Sequence, residues 1–459
     1  DHIEGAIQMK IQKQVPLTEG PILKSLTGLA VPIMISSFLG TLYNITDMAW
    51  IGLLGSKAVA AVGVGGMYVW LSQGLASLAR MGGQVHVAQC LGRGDKEQAH
   101  RYAKTAVQLS ILLGLAFAAV SLLFTDPLVG FFKLEGVKTI LDAKIYMRIT
   151  CGLILFSFLN LTLTGLYTAQ GDSKTPFVAN FIGLLINLLL DPLLILGVGP
   201  FPRIEVAGAA VATVSAQLVV MLVMMVGVFR SKKEENVLKG IRLFEPFSKE
   251  ELGNICKIGG PTAIQGMVYC MISMVLTRMV AAFGAEAIAT QRVGGQIESV
   301  SWNTADGFAA ALNAFVGQNY GAKKMDRVQK GYRISFWTVA IWGALIMLAF
   351  IIFPGPIAGV FFHEEKAMEI AISYLIIIGF SEAFMCVELM TIGALSGLGK
   401  TKLCSVISIT ATSMRIPLAM VLSRTSLGLD GIWWALTLTS VAKGIIFYLT
   451  FRYQMREKC

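Results

Sequence analysis

The sequence has few charged residues. Only 14% of its 459 residues are Asp, Glu, Lys or Arg, whereas 55% are hydrophobic. A soluble domain carries about a quarter charged residues, so this shortage excludes an ordinary soluble globular protein. The net charge of +10 is spread along the chain rather than gathered in one soluble patch, which argues against a nucleic-acid-binding surface.

Cysteine and histidine are scarce and scattered. The seven cysteines and four histidines show no CxxC motif and no metal-ligand spacing, so we expect neither a disulfide framework nor a metal site. A phosphate-binding glycine loop is missing too, which argues against energy from bound ATP. Nothing places a nucleophile or a metal beside paired acids. We therefore expect no enzymatic activity and no cofactor.

The sequence is rich in long apolar runs. A helix needs about 20 apolar residues to cross a bilayer, and we count twelve such runs, with no cleavable signal segment expected before the first. They lie near residues 27–53, 58–87, 103–124, 145–169, 176–198, 207–229, 254–283, 287–316, 332–353, 368–395, 402–423 and 430–452. Because they lack strand alternation, we predict an all-α integral membrane protein with twelve transmembrane helices.

The two halves of the chain repeat each other. A shift of 229 residues places Pro32 on Pro261 and Gly55 on Gly284. A period this long is not that of a solenoid, and it predicts two pseudo-symmetric six-helix lobes with a site between them. The expected division is an N-terminal tail at 1–26, an N-lobe at 27–229, a connector at 230–252, a C-lobe at 253–453 and a C-terminal tail at 454–459.

The distribution of basic residues predicts the orientation. With the N-terminus inside, the cytoplasmic segments hold 25 Lys and Arg and the outward loops hold eight. This bias predicts a multi-pass protein of the inner cell membrane with both termini in the cytoplasm. Ser248 and Glu251 form a capping-box pattern that predicts the start of the seventh span.

Asp47 is the most informative residue, because it is an acid inside the apolar first span. A charge at the centre of a span costs about 2.5–3.5 kcal/mol on insertion scales, so an acid within a span is a functional candidate by default. Ser36, Gly40 and Asn44 share its helical face, so the carboxyl is expected to have polar neighbours there. The alternative is a structural hydrogen-bond anchor.

The fifth span has a second polar stripe, formed by Asn180, Asn187 and Asp191. Pro192 leaves a backbone carbonyl without its helical partner, so Asp191 could merely satisfy that defect. The repeat favours function. Asp47 corresponds to a leucine and Asp191 to a proline in the second half, so coupling to a proton or cation is predicted for the N-lobe.

Paired turns complete the pattern. The GDSKTP run at 171–176 matches GLGKTK at 397–402, and LGRGDKEQ at 91–98 matches YGAKKMDR at 320–327. With twelve spans and a proline in the first and seventh, this order resembles the multidrug and toxic compound extrusion (MATE) family. Its DinF-like branch, with acids in the first and fifth spans, is the most similar.

The resemblance implies a polar N-lobe network of Asp47, Asn180, Asn187 and Asp191, with Asn44 beside it and Thr213 of the sixth span completing it. It also implies a multidrug exporter. We expect this exporter to act as a monomer on small organic cations, which acidic and aromatic linings favour. Burial and a like charge both disfavour an ionised carboxyl, so the acids could exchange protons. Pro32 is the expected hinge.

The substrate chamber is expected between the lobes. The flexible or aromatic residues predicted to line it with Asp47 are Met34, Tyr43, Trp50, Met67, Met267 and Met271. Ordinary packing is the alternative for any of the methionines. The C-lobe has its own intramembrane charges, expected to pair in a structural network: Arg278, Arg292, Glu298, Asp306, Glu382, Glu388 and Arg415. A second coupling site is the open alternative, since other branches of the family that the chain resembles bind cations on the tenth span, which carries Glu382 and Glu388.

The predicted function is export of amphipathic, mostly cationic compounds in exchange for protons, by rocking of the two lobes. Sodium coupling is an open alternative, because the N-lobe acids and Asn187 are hard oxygen ligands. A lipid-linked saccharide flippase of related fold is another. Membrane lipid is the only other expected partner, and nucleic acid is not expected.

Overall fold

A computed structural model describes residues 14–232 and 235–458, and every regular element in these residues is a helix. The first half contains α1 (Ile22–Gly52), α2 (Ser56–Gly92), α3 (Lys96–Leu123), α4 (Thr125–Gly130), α5 (Val137–Gly152), α6 (Leu155–Ala169), α7 (Lys174–Ile195) and α8 (Val206–Arg230). The residues between α8 and α9 form the connector, and we call the end of the bundle that carries it the connector face.

The second half follows the same order. It contains α9 (Lys249–Ala281), α10 (Ala285–Gly321), α11 (Met325–Ile352), α12 (Pro354–Gly359), α13 (Glu365–Gly379), α14 (Glu382–Gly397), α15 (Thr401–Ser413), α16 (Arg415–Ser423) and α17 (Leu429–Lys458). The short helices α4 and α12 occupy equivalent places, after the third and ninth spans.

The membrane-spanning helices agree with the predicted fold. The described residues contain nine helices, counting α15 and α16 as one, that are long and apolar enough to cross a bilayer. Two bent pairs, α5 with α6 and α13 with α14, raise the number to eleven. The remaining predicted span is α10, whose 37 residues include several charged side chains. The layout is the predicted twelve-helix, two-lobe membrane protein.

The repeat is also visible in the backbone. Gly55 and Gly284 precede α2 and α10, and both adopt a φ of 111°. Gly94 has a φ of 79° in the turn after α2, and Lys323 takes the equivalent place after α10 with a φ of 60°. A positive φ is costly for a lysine, so the turn geometry is kept in the second lobe even where the glycine is not.

Every spanning helix starts before its predicted apolar run, and several also end after it. The first helix begins at Ile22 rather than near 27, and the last continues to Lys458 rather than 452. Helical hydrogen bonds do not require apolar side chains, so the helices continue beyond the apolar runs. The fourth and tenth spans each break instead of crossing straight, with bends of 42° and 52°.

The predicted capping box is correct in place but not in detail. Ser248 is the N-cap residue of α9, in extended conformation and without a side-chain bond to the backbone. Its hydroxyl instead contacts the carboxylate of Glu251. That carboxylate also accepts a hydrogen bond of 3.2 Å from Gln98 Nε2 at the start of α3. Glu251 is therefore held by two side chains and not by the backbone N–H that a capping box would use.

The lobes meet along α2, α9 and α10. α2 crosses α9, and α10 packs against both α1 and α2. Glycines let the backbones touch: a Cβ on Gly82 would lie 2.5 Å from the carbonyl oxygen of Ile255, and Gly259 packs directly on the carbonyl of Leu78. These contacts lie toward the connector face, so the lobes are closed there.

A segment before α1 also joins the two lobes on this face. Val15 N donates to Gly171 O in the N-lobe at 2.9 Å. Leu17 is buried in the C-lobe core, and its carbonyl accepts hydrogen bonds of 3.0 Å from Asn319 Nδ2 and Arg327 Nη2. We call residues 14–20 the strap.

Candidate functional site

Two carboxyl groups meet inside the N-lobe. α1 contributes Asp47, and α7 contributes Asn187 and Asp191, which are both fully buried. With its amide oriented to meet complementary atoms, Asn187 Nδ2 donates to Asp47 Oδ1 at 3.1 Å and to Asp191 Oδ2 at 3.0 Å. Both amide hydrogens are thereby used, and one side chain bridges the two acids.

A third helix reaches the same cluster. Thr213 Oγ1 of α8 donates to Asp47 Oδ2 at 3.3 Å. Tyr146 of α5 lies within electrostatic range of both acids. Its ring packs directly against Gly65 of α2, where a larger side chain would clash. The cluster therefore unites α1, α5, α7 and α8 and lies wholly within one lobe.

The structure argues against a purely local role for Asp191. α7 continues through Pro192 to Ile195. The carboxyl of Asp191 faces Asn187, and its Oδ1 accepts no hydrogen bond from the described residues. Among the described residues, no hydrogen bond joins the carboxyl of Asp191 to the carbonyl that Pro192 leaves unpaired.

A cavity of about 430 Å³ lies beside this cluster. It is enclosed mainly by α1, α2, α6, α7 and α8. Its polar lining residues are Ser36, Ser37, Tyr43, Gln73, Arg80, Gln84, Ser157, Asn160, Thr164, Thr168, Ser173, Asn180, Gln217 and Asp306. Of the two predicted asparagines outside the carboxyl cluster, Asn180 lines this cavity and Asn44 is exposed elsewhere.

The cavity contains several polar atoms without a protein partner. The buried Ser36 Oγ, Asn160 Oδ1 and Ser173 Oγ make no hydrogen bond to the described residues, and neither does Arg80 Nε. Buried polar groups are normally satisfied by protein, water or ligand. These atoms are therefore available to a bound solute or to water.

Arg80 and Asp306 give the cavity its charge. The stem of Arg80 lies against Gly165 of α6, where a Cβ would come within 2.7 Å of Arg80 Cγ. Asp306 lines the cavity from α10 of the other lobe, and its carboxylate interacts through space with Arg80. The cavity thus has a cation from one lobe and an anion from the other.

Most of the residues predicted to line a chamber between the lobes do not line this cavity. Tyr43 lines the cavity, whereas Met34 packs under Gly307 and Met267 packs on Gly74. Trp50 joins a hydrophobic cluster near the end of α1. Met67 and Met271 are not among the cavity-lining residues either, and Met271 is half exposed. Pro32 lies within the continuous helix α1, next to the lining residue Ile33.

The C-lobe charges form two groups, and Arg415 of the first lies within electrostatic range of Glu298 in the second. Glu388 pairs with Lys443 at 3.1 Å, and both side chains are buried. Arg415 donates to Thr439 Oγ1 at 2.8 Å and to Ser440 Oγ at 2.9 Å.

The second group is a carboxyl pair. Glu298 of α10 accepts a hydrogen bond of 3.4 Å from the hydroxyl of Tyr374 and lies beside the fully buried Glu382 of α14. Arg278 and Arg292 are exposed and are not brought into either group, and Asp306 faces the N-lobe cavity instead.

Comparison with known proteins identifies the family. The sequence profile of the MatE family matches residues 32–193 and 261–421. The chain belongs to the MatE family. Members of this family are membrane transporters, so the MatE chain is a multi-pass transporter of small molecules and not an enzyme.

Relatives and solved structures cover nearly the whole MatE chain. A probable multidrug resistance protein NorM from Thermotoga maritima is 29% identical over 457 residues, covering 96% of each chain. An FAD transporter from Shewanella oneidensis is 25% identical over 435 residues, covering 94% of this chain and 95% of the relative. A crystal structure of MATE in the straight conformation has a TM-score of 0.88 at 24% identity, covering 97% of this chain and 99% of that one.

Proposed function

We propose that this MatE protein is a multidrug antiporter of the inner cell membrane, with both termini in the cytoplasm, that exports amphipathic organic cations in exchange for protons. The proposal rests on the cluster of Asp47 with the buried Asn187 and Asp191, which lies beside a cavity. Buried acids within a membrane mark proton or ion pathways in transporters. Acids in the first and fifth spans favour the DinF-like branch.

The chemistry of the cluster fits such coupling. When ionised, Asp47 attracts a cation into the adjoining cavity, while Asn187 and Thr213 supply donors to its two oxygens. A proton arriving from the opposite face neutralises the Asp47 carboxylate, which releases the cation. Pro32 provides a bending point in the helix that carries Asp47. The protein would work as a monomer.

A second candidate function is export of an organic anion. The observation in its favour is Arg80, whose guanidinium lies among the amides of the cavity and has an unpartnered Nε. Arginine recognises phosphate through paired hydrogen bonds, and the relative from Shewanella oneidensis is named an FAD transporter. A sodium-coupled exporter and a lipid-linked saccharide flippase are further alternatives of the same fold.

The test is efflux from proteoliposomes with a proton gradient or a sodium gradient imposed alone. Vesicles contain either a fluorescent lipophilic cation or FAD. We expect the proton gradient to drive efflux of the cation, and the Asp47→Asn variant to abolish it, because Asn keeps the shape but cannot ionise. Asp430→Asn, at the start of α17, is the matched control and should transport normally.

The other outcomes separate the alternatives. Efflux driven only by sodium would change the coupling ion. Efflux of FAD without efflux of the cation, lost in Arg80→Gln, would establish the anion exporter. If neither solute moves with either gradient, the assigned cargo is wrong and the flippase becomes the better explanation.

A further inference from the structure

A second cavity lies outside the cluster described above, on the C-lobe near the connector face. It measures about 460 Å³ and lies between α11 and α17. Aromatic rings form its floor: Tyr332 stacks on Phe451, and Phe336 contacts Tyr448 and Trp337.

Three arginines surround this cavity. Arg333 comes from α11, and Arg452 and Arg456 come from the last turns of α17. Arg452 lies over the ring of Tyr448 at 5.9 Å. The lining residues described here include no acid, and the ion pairs found in the described part of the chain involve none of the three arginines. Among the residues that the structure describes, no acid lines the cavity and no ion pair holds its arginines, so their positive charge is available to an anionic ligand.

An apolar stripe leads from this cavity along α11. Trp337, Ile341, Leu345 and Leu348 follow one another at helical spacing, and each is between 50% and 60% exposed. The stripe begins at a cavity-lining residue, Trp337, and continues toward the middle of the membrane. A ligand that lay along it would need a long apolar chain attached to a group that meets the arginines.

We propose that this cavity binds an anionic phospholipid. The phosphate group would accept hydrogen bonds from the guanidinium groups of Arg333, Arg452 and Arg456, and one acyl chain would lie on the stripe of α11. Guanidinium groups match phosphate geometry, and basic pockets at the ends of spanning helices are typical sites for acidic lipid headgroups. Free phosphate has the same charge but would leave the stripe unused.

Native mass spectrometry of the full-length, delipidated protein tests this proposal. The protein is titrated with phosphatidylglycerol or with zwitterionic phosphatidylcholine. We expect one phosphatidylglycerol to be retained preferentially. The variant Arg333→Gln/Arg452→Gln/Arg456→Gln should lower its affinity by about a hundredfold, since each basic residue contributes about one kcal/mol to acidic-lipid binding.

The control variant is Arg101→Gln/Arg230→Gln/Lys249→Gln, which removes the same charge from exposed positions toward the connector face. It should keep the affinity for phosphatidylglycerol. Equal losses in both triple variants would show a general charge effect and overturn the site. Equal retention of both lipids, or displacement of phosphatidylglycerol by millimolar inorganic phosphate, would overturn it as well.

Discussion

One amide holds the two acids of the N-lobe together. Asn187 is fully buried and uses both amide hydrogens on Asp47 and Asp191. Without it, each carboxyl would lose a donor in a place that water does not reach easily. Leaving a buried polar group unsatisfied costs about 1–3 kcal/mol. The asparagine is thus a positioning residue whose loss should affect both stability and transport.

We therefore expect Asn187→Ala to lower the free energy of unfolding by about 1–3 kcal/mol and to slow efflux. Thermal unfolding in detergent and the proteoliposome assay measure the two effects. Asn44→Ala is the control, because Asn44 is on the same pair of helices but exposed. Equal melting temperatures for the two variants would contradict the bridging role.

The sequence predicted the acids of this cluster better than the charges of the cavity. Asp47 and Asp191 follow from the cost of charge in a membrane, and the steps between the fifth-span residues place Asn187 beside them. Arg80 of the cavity and Lys443 of the C-lobe carry the same signal, since each is a charge within an apolar run, but the sequence alone assigns neither of them a role. Their roles depend on contacts with distant helices, which spacing along the chain does not reveal.

At the scale of helices, the lobes are held together by backbone contact between α2 and α9. Gly259 has no room for a Cβ, because the carbonyl of Leu78 fills the space, whereas the adjacent Gly260 faces nothing within 4 Å. Substituting Ala at Gly259 therefore tests the contact, and the same substitution at Gly260 of the same helix is its control. Overpacking of such a contact costs about 1–3 kcal/mol.

Gly259→Ala should separate α2 from α9 and lower the melting temperature in detergent. Gly260→Ala should be neutral or slightly stabilising, because Ala favours a helix by about 0.5–1 kcal/mol over Gly. Thermal unfolding of the two variants against the wild type is the measurement. A loss of stability in Gly260→Ala alone would show that the packing of α9 has been assigned to the wrong face.

The sequence predicted these elements but not their breaks. The bends of the fourth and tenth spans follow Gly152 and Gly379, which occupy equivalent places in the repeat. Many glycines of the apolar runs do not break their helices, so glycine alone gives no prediction. The bend depends on neighbouring helices: a Cβ on Gly379 would lie 3.0 Å from Phe350 Cβ, and one on Gly152 would lie 3.2 Å from Leu122.

For the whole molecule, the strap at residues 14–20 ties the lobes at the connector face. It bonds to the N-lobe at Gly171, and to the C-lobe through Arg327, whose Nη1 and Nη2 donate to the carbonyls of Gly20 and Leu17 at 2.9 and 3.0 Å. Opening of this face by a rocking motion would stretch the strap until one end detached. The strap therefore stabilises the state that is closed at the connector face.

Removing the C-lobe attachment should shift this equilibrium toward opening. Hydrogen bonds to charged groups contribute about 1.5–3 kcal/mol each, so Arg327→Gln should raise the open population by about tenfold or more. Distances between spin labels at positions 101 and 402, which are exposed in opposite lobes, would report it in a variant without native cysteines. Arg230→Gln, at the end of α8, is the charge-matched control and should keep the closed distance. A closed distance unchanged in Arg327→Gln would mean that glycine packing between α2 and α9, and not the strap, holds the connector face shut.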